Sequence, residues 1–257
     1  MNRTKFPTSV LEMAKEKRNL NVIKPAINNF KLSEYKHSTV QVQNSPFFGY
    51  EMGTITLEER ATCNPDCIHF DSEADTPCYG DNMHRAKRYI FDTQRFLADI
   101  DRIMNKRKVK ASGFLLRNNI LGDFHSIEQV EAFITALDRY ENLVIFGYTR
   151  TYGKAVDIRL EQSILSLSKH DRYYLWFSGL TVETEGLYIK AIASNPSALS
   201  DRNPLVPEMD DRNELFTCPA QRNDKAINSC AACGICFNPS IVKNRTEKSR
   251  NLLFITH

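Results

Sequence analysis

Seven cysteines stand in this chain of 257 residues, and they fall into two tight groups. Cys63, Cys67 and Cys78 share one short segment. Cys218, Cys230, Cys233 and Cys236 share another, and the long stretch between holds none. Cysteines used only for packing scatter along a chain. An odd number cannot all pair in a disulfide framework. Residues 1–18 are polar and basic without the apolar core of a secretory signal. The expected compartment is therefore the reducing cytoplasm, where structural disulfides are rare. Grouped thiols in such a setting point to metal.

The second group reads CPAQRNDKAINSCAACGICF, a C-x2-C-x2-C run with Cys218 upstream. Two-residue gaps let successive thiolates turn toward one centre, and Ala231, Ala232 and Gly234 permit tight wrapping. Zinc sites more often use two separated C-x2-C knuckles, whereas unbroken two-residue spacing resembles ferredoxin ligation. The expectation is a closed four-thiolate centre, an iron–sulfur cluster ahead of zinc. The first group, TCNPDCIHFDSEADTPCYGDN, is less regular. Three thiolates suffice for a [4Fe–4S] cluster with one iron left open for chemistry. The competing arrangement is zinc completed by His69 or His84.

Hydrophobic residues make up 42% of the chain, enough to bury a core in one or two domains, and no run approaches the roughly 20 apolar residues of a membrane span. A net charge of +3 does not by itself indicate nucleic acid. Residues 1–50 read as an irregular covering segment, broken by the polar run 19–24 and by residues 44–46. Residues 51–257 form one α/β domain. Residues 50–57 (YEMGTITL) are an expected strand, and the spacing of Ile90, Phe96, Leu97, Ile100, Ile103 and Met104 predicts a helix over 83–104, ended by Lys106, Arg107 and Lys108. Then follow a strand over 114–120, a helix capped by Ser126 with Gln129 closing a capping box, a strand over 143–148, a helix around 156–167 and a strand over 173–177. Further extended pieces are expected at 187–192, 214–217 and 252–256. Such alternation implies parallel βα units with right-handed crossovers. Open doubly wound sheets and (β/α) barrels both fit. A complete or partial (β/α) barrel is favoured, because the units recur without a glycine-rich nucleotide loop.

The Cys63-Cys67-Cys78-Tyr79 segment, LLRNNILGDFHS, IFGYTRT, the CPAQ and C-x2-C-x2-C segment and the last apolar strand closing on His257 occur in one order over residues 50–257. In these marks the chain resembles the phage- and plasmid-encoded "gene product 88" family. That family looks like a distant partial-barrel relative of radical S-adenosylmethionine enzymes. The radical-enzyme hallmark is a compact C-x3-C-x2-C loop. Here Cys63 and Cys67 keep the first gap, while Cys78 follows after an insertion over 69–77. The resemblance implies S-adenosylmethionine beside an open-site cluster, and host-cell cytoplasm for a phage product.

Strand C-termini are where such folds place ligands. The candidates there are Asn119, Asp123 and His125; Tyr148, Thr149 and Arg150; Ser178 and Thr181; and His257. Asp123 and Arg150 are the catalytic candidates, and Asn119, Tyr148, Thr149, Ser178 and His257 the cofactor-binding ones. Gly122-Asp123 is also an ordinary turn, and Trp176, Tyr173 and Tyr174 read as core rather than cofactor box. Two functions follow. One is a radical S-adenosylmethionine-like iron–sulfur enzyme with unknown substrate. The other is a zinc- or cluster-stabilised, non-catalytic nucleic-acid-binding or interaction protein, resting on the basic stretch 84–110.

Overall fold

The structure is a computed structural model and describes residues 33–35, 47, 49–59, 61–67, 70, 78, 80, 88–178, 190–194, 215–217, 234–237 and 251–255. The expectations placed on residues 19–24 and 44–46, on His69, His84, Thr181 and His257, and on Cys218, Cys230 and Cys233 lie outside them.

The elements are β1 (Ser33–Tyr35), β2 (Glu51–Thr54), α1 (Thr93–Met104), α2 (Arg107–Ser112), β3 (Phe114–Asn118), α3 (Ile127–Arg139), β4 (Leu143–Thr149), α4 (Ile158–Ser168), β5 (Tyr173–Ser178), β6 (Lys190–Ser194), β7 (Leu215–Thr217) and β8 (Asn251–Ile255). They build one eight-stranded sheet in the order β1-β2-β3-β4-β5-β6-β8-β7. β2 through β5 are parallel neighbours in chain order, so the parallel units expected from the sequence are present. β1, from the stretch expected only to cover the domain, joins the sheet antiparallel to β2.

Strands that add in sequence with right-handed crossovers keep every helix on one face. The larger core obeys this: Phe96, Ile100, Val130, Phe133, Leu160 and Ile164 from the helices meet Phe114, Leu116, Ile145, Tyr173 and Leu175 from the strands. Period-2 alternation sends Met52, Leu115, Val144, Phe146, Tyr174 and Trp176 to the other face, where they pack with Phe237 of the short 3-10 turn Ile235–Phe237 and with no α-helix among the described residues. Among the described residues, α1, α3 and α4 all lie on one face, unlike the helices of a doubly wound sheet, which clothe both faces. No pairing joins β1 to β7 among the described residues, so the order seen has two edges.

The far end differs. β8 lies between β6 and β7, and both β6–β8 and β7–β8 are parallel. The chain therefore steps backward from β7 to β8. A right-handed crossover in that direction passes over the face opposite α1, α3 and α4. Phe237 and Cys236, which belong to this crossover, are packed there.

Local differences from the expectations have physical causes. Helix α1 starts at Thr93, because Tyr89 is held in a parallel bridge with Leu57 and the Asp92 carboxylate accepts from Arg95 N at 2.8 Å. Ile90 precedes that helix and is 57% exposed, so it is not part of the apolar stripe. Arg107 and Lys108 open α2 rather than merely ending α1. Ser126 Oγ accepts from Gln129 N at 3.2 Å, but the Gln129 side chain accepts from His125 N and donates to Asn119 Oδ1. Only half the capping box forms. The other half ties α3 to the end of β3.

A candidate site at the strand C-termini

The chain leaves β2 and runs directly into the first cysteine segment, so that segment begins at the C-terminal end of the parallel sheet. Residues on either side of Cys63 hold it there. Thr62 Oγ1 accepts from Asp123 N at 3.0 Å, just beyond β3. Asn64 Nδ2 donates to the carbonyls of Arg150 at 3.1 Å and Tyr152 at 3.2 Å, just beyond β4. Close approach here requires Gly122: its φ is +74°, and an added Cβ would lie 2.4 Å from Thr62 Oγ1 and 2.7 Å from Leu57 Cβ. Cys67 N donates to the Asn64 carbonyl at 3.0 Å, closing a tight turn between the first two cysteines.

A second anchor secures Cys78. Arg88 and Glu59 form an ion pair at 2.7 Å with both side chains buried, and Arg88 Nη2 also donates to the Gly80 carbonyl at 3.0 Å. Gly80 N in turn donates to Cys78 Sγ at 3.4 Å, as backbone amides do to ligand sulfurs. Cys63, Cys67 and Cys78 are half-buried and in no disulfide. The donor chemistry, with three reduced thiols and an amide aimed at one sulfur, fits an iron–sulfur or zinc centre. Among the described residues, however, no three His, Cys, Asp or Glu side chains gather as a ligand set.

Asp123 sits where the sequence places it, but its carboxylate is engaged. Oδ1 accepts from Phe124 N at 2.7 Å and from Thr149 Oγ1 at 2.7 Å, and Oδ2 from Arg150 N at 2.6 Å. The group is 4% exposed, and burial pushes its pKa up to about 6 despite these donors. It joins the ends of β3 and β4 and presents little open surface to a ligand. Thr149 is consumed by the same contact, and its Oγ1 also accepts from Thr151 N at 3.0 Å. The Arg150 guanidinium lies over the Tyr152 ring, 4.3 Å from its centroid, while the Arg150 main chain serves both Asp123 and Asn64. Asn119 holds a left-handed φ of +46° and is 5% exposed. His125 is largely buried, which lowers its pKa. The Ser178 carbonyl accepts from Tyr152 Oη, binding β5 to the loop after β4.

Tyr148 faces the opposite side of the sheet from Thr149. Its hydroxyl donates to Cys236 Sγ at 2.7 Å, and Trp176 Nε1 donates to the Cys236 carbonyl at 2.9 Å. Phe237 packs on Phe146 with ring centroids 4.7 Å apart. Trp176, Tyr173 and Tyr174 are buried core residues as expected, but Trp176 also holds the second cysteine segment. The C-terminal end of β4 thus touches both cysteine groups, one through Arg150 and one through Tyr148.

Sequence reasoning missed Thr62, Asn64, Glu59 and Arg88. Thr62 and Asn64 flank a cysteine, and small polar neighbours of a ligand are the one signal that marks them. Nothing in EER or RAKR separates a buried ion pair from solvated charge.

No family model, no curated protein and no solved structure matches this chain. What the fold and site define is therefore a class: a parallel βα sheet with helices on one face and reduced cysteines anchored at its strand C-termini.

Proposed function

We propose that the protein is an iron–sulfur enzyme of radical S-adenosylmethionine type, built on a partial (β/α) barrel. One observation carries the reading. The cysteine segment that follows the first parallel strand is fastened, through Thr62 and Asn64, to the C-terminal ends of β3 and β4. βα barrels build ligand sites at that end. The sequential order of β2 to β5, with α1, α3 and α4 on one face, favours the barrel over a doubly wound sheet. In this reading Cys63, Cys67 and Cys78 hold a [4Fe–4S] cluster, and Cys218, Cys230, Cys233 and Cys236 hold a second. A cluster held on Cys63, Cys67 and Cys78 would supply one-electron reduction of S-adenosylmethionine. The chain supplies the rest: Asp123 locks the β3 and β4 ends, Asn64 orients the cysteine loop, and the Arg150 guanidinium stands at the strand ends where an anionic group of a ligand is expected.

Anaerobic reconstitution with iron and sulfide tests this. The expected protein is brown, holds about eight irons per chain on two cubane clusters, loses the first cluster in Cys63→Ala, and cleaves S-adenosylmethionine slowly under strong reductant. Colourless protein that copurifies with zinc alone overturns it.

A second reading has one observation in its favour. Arg107, Lys108 and Lys110 are exposed on α2, and α2 leads through Gly113 into the start of β3. This basic patch lies at the N-terminal end of the strands, opposite the cysteines. A nucleic-acid-binding protein using it would bind DNA or RNA with a salt dependence that Arg107→Glu and Lys110→Glu reduce. No helix among the described residues is long and apolar enough to cross a membrane.

A further inference from the structure

Two polar side chains stand in the core between the sheet and helices α1, α3 and α4. Period-2 alternation carries the inward series Phe114 and Leu116 of β3 on to Asn118, and Tyr173 of β5 belongs to the same apolar layer. Both residues are 0% exposed. Asn118 pairs across to Gly147 of β4, and Gly147 to Leu175 of β5, two residues beyond Tyr173. Because Gly147 has no side chain, the Asn118 amide leans over β4, its Oδ1 2.0 Å from where a Cβ would stand. Tyr173 reaches the same place from β5. Burial pushes the pKa of its hydroxyl well above the ordinary tyrosine value, the charge of Asp123 raises it further, and the Asn118 amide lowers it. The hydroxyl is thus a lasting donor, close to Asn118 but short of hydrogen-bond geometry. Asn118 Nδ2, Asn118 Oδ1 and Tyr173 Oη are all buried with no hydrogen-bond partner among the described residues. Three such atoms in one place are costly, since each gave up water on folding.

We infer that an internal water molecule is bound here by Asn118 and Tyr173, joining β3 to β5 across Gly147. A buried water typically makes about three hydrogen bonds. The three atoms supply that number with matched polarity. Tyr173 Oη and Asn118 Nδ2 donate to the water, and the water donates to Asn118 Oδ1. β4 separates β3 from β5 in the sheet, so no ladder bond can join them. The water makes that link beside Asp123, and it ties β5 to the strand ends that hold the first cysteine loop. The inference does not depend on what the cysteines bind.

Magnetic relaxation dispersion of the water oxygen, measured on the full chain in solution, counts waters held inside a protein for longer than it tumbles. Tyr173→Phe keeps the ring and removes the hydroxyl. Asn118→Leu replaces the amide by an apolar side chain of similar size. Each is expected to lose about one long-lived water relative to wild type, and the double variant to lose the same one and no more. Tyr173→Phe is also expected to raise the unfolding equilibrium constant about tenfold, because the water and the amide are left short of a partner. Unchanged dispersion in Tyr173→Phe overturns the inference. So does a gain in its stability, since removing a hydroxyl that binds nothing relieves a cost. Losses that add in the double variant overturn the shared site. If Asn118→Leu does not fold, the dispersion and stability of Tyr173→Phe decide the matter alone.

Discussion

Asn64 spans from the first cysteine loop to the end of β4, donating from its side-chain amide to the Arg150 carbonyl at 3.1 Å and the Tyr152 carbonyl at 3.2 Å. The residue is 3% exposed, and removing its amide takes the side-chain donor from both carbonyls at once. Asn64→Leu should therefore cost about 2–3 kcal/mol of folding stability. It should also weaken metal retention at Cys63 more than at Cys236. Denaturant unfolding and iron counts on single-group cysteine variants read both effects. Equal loss at the two groups would contradict the anchoring role.

The Glu59–Arg88 pair is buried on both sides and holds Gly80, two residues from Cys78. Removing one partner strands a charge in the interior. Arg88→Met should destabilise by about 3–5 kcal/mol, whereas the double variant Glu59→Leu with Arg88→Met should recover part of that loss. Thermal melts of wild type, Glu59→Leu, Arg88→Met and the double variant decide it, and a double variant as unstable as the sum of the singles refutes the pairing.

Asp123 gives a pH signature. Its pKa is pushed from 3.8 up to about 6 in the fold, because burial disfavours the ionised form. Below the unfolded value both states are protonated, and the contribution to stability is fully present. As pH rises toward the folded value the unfolded chain releases its proton first, and stability is lost. From 3.8 to about 6 the loss is on the order of 3 kcal/mol. Asp123→Asn removes this slope. The difference between wild type and variant in urea unfolding free energy should thus change across pH 4 to 6, and a difference independent of pH would sink the assignment.

Gly147 lies under Asn118: a Cβ there would be 2.0 Å from Asn118 Oδ1 and 2.8 Å from the Asn118 carbonyl oxygen. Gly147→Ala should cost about 3 kcal/mol through overpacking between β3 and β4. Asn118→Ala in the same chain should relieve only part of this, since the backbone oxygen stays. Chemical denaturation of single and double variants measures the coupling.

The middle of the fold was legible because each βα unit announces itself locally. The apolar runs at 114–118, 143–149 and 173–178 alternate with helices whose caps, Ser126 above all, are written in sequence. The site was legible in part. Cysteine spacing marks the thiols, and GDF marks the turn that carries Asp123. The three donors that occupy the Asp123 carboxylate are long-range or main-chain groups that no local pattern encodes. The backward step from β7 to β8 was equally hidden, since strand order at a sheet edge depends on which neighbour offers pairing and not on the strand's own residues.

That backward step bears on when the sheet can be finished during synthesis. β7 finds its described partner in β8, which emerges from the ribosome only after residues 218–250 have been made. Until then β7 waits with unpaired edges, and the loop to be closed is long. Closure entropy grows with the logarithm of loop length. A metal gathering Cys218, Cys230, Cys233 and Cys236 would shorten that loop before β8 arrives. Newly made chains starved of metal should accordingly stall with β2 to β5 assembled and the β6–β8–β7 edge open, exposed to proteases there first.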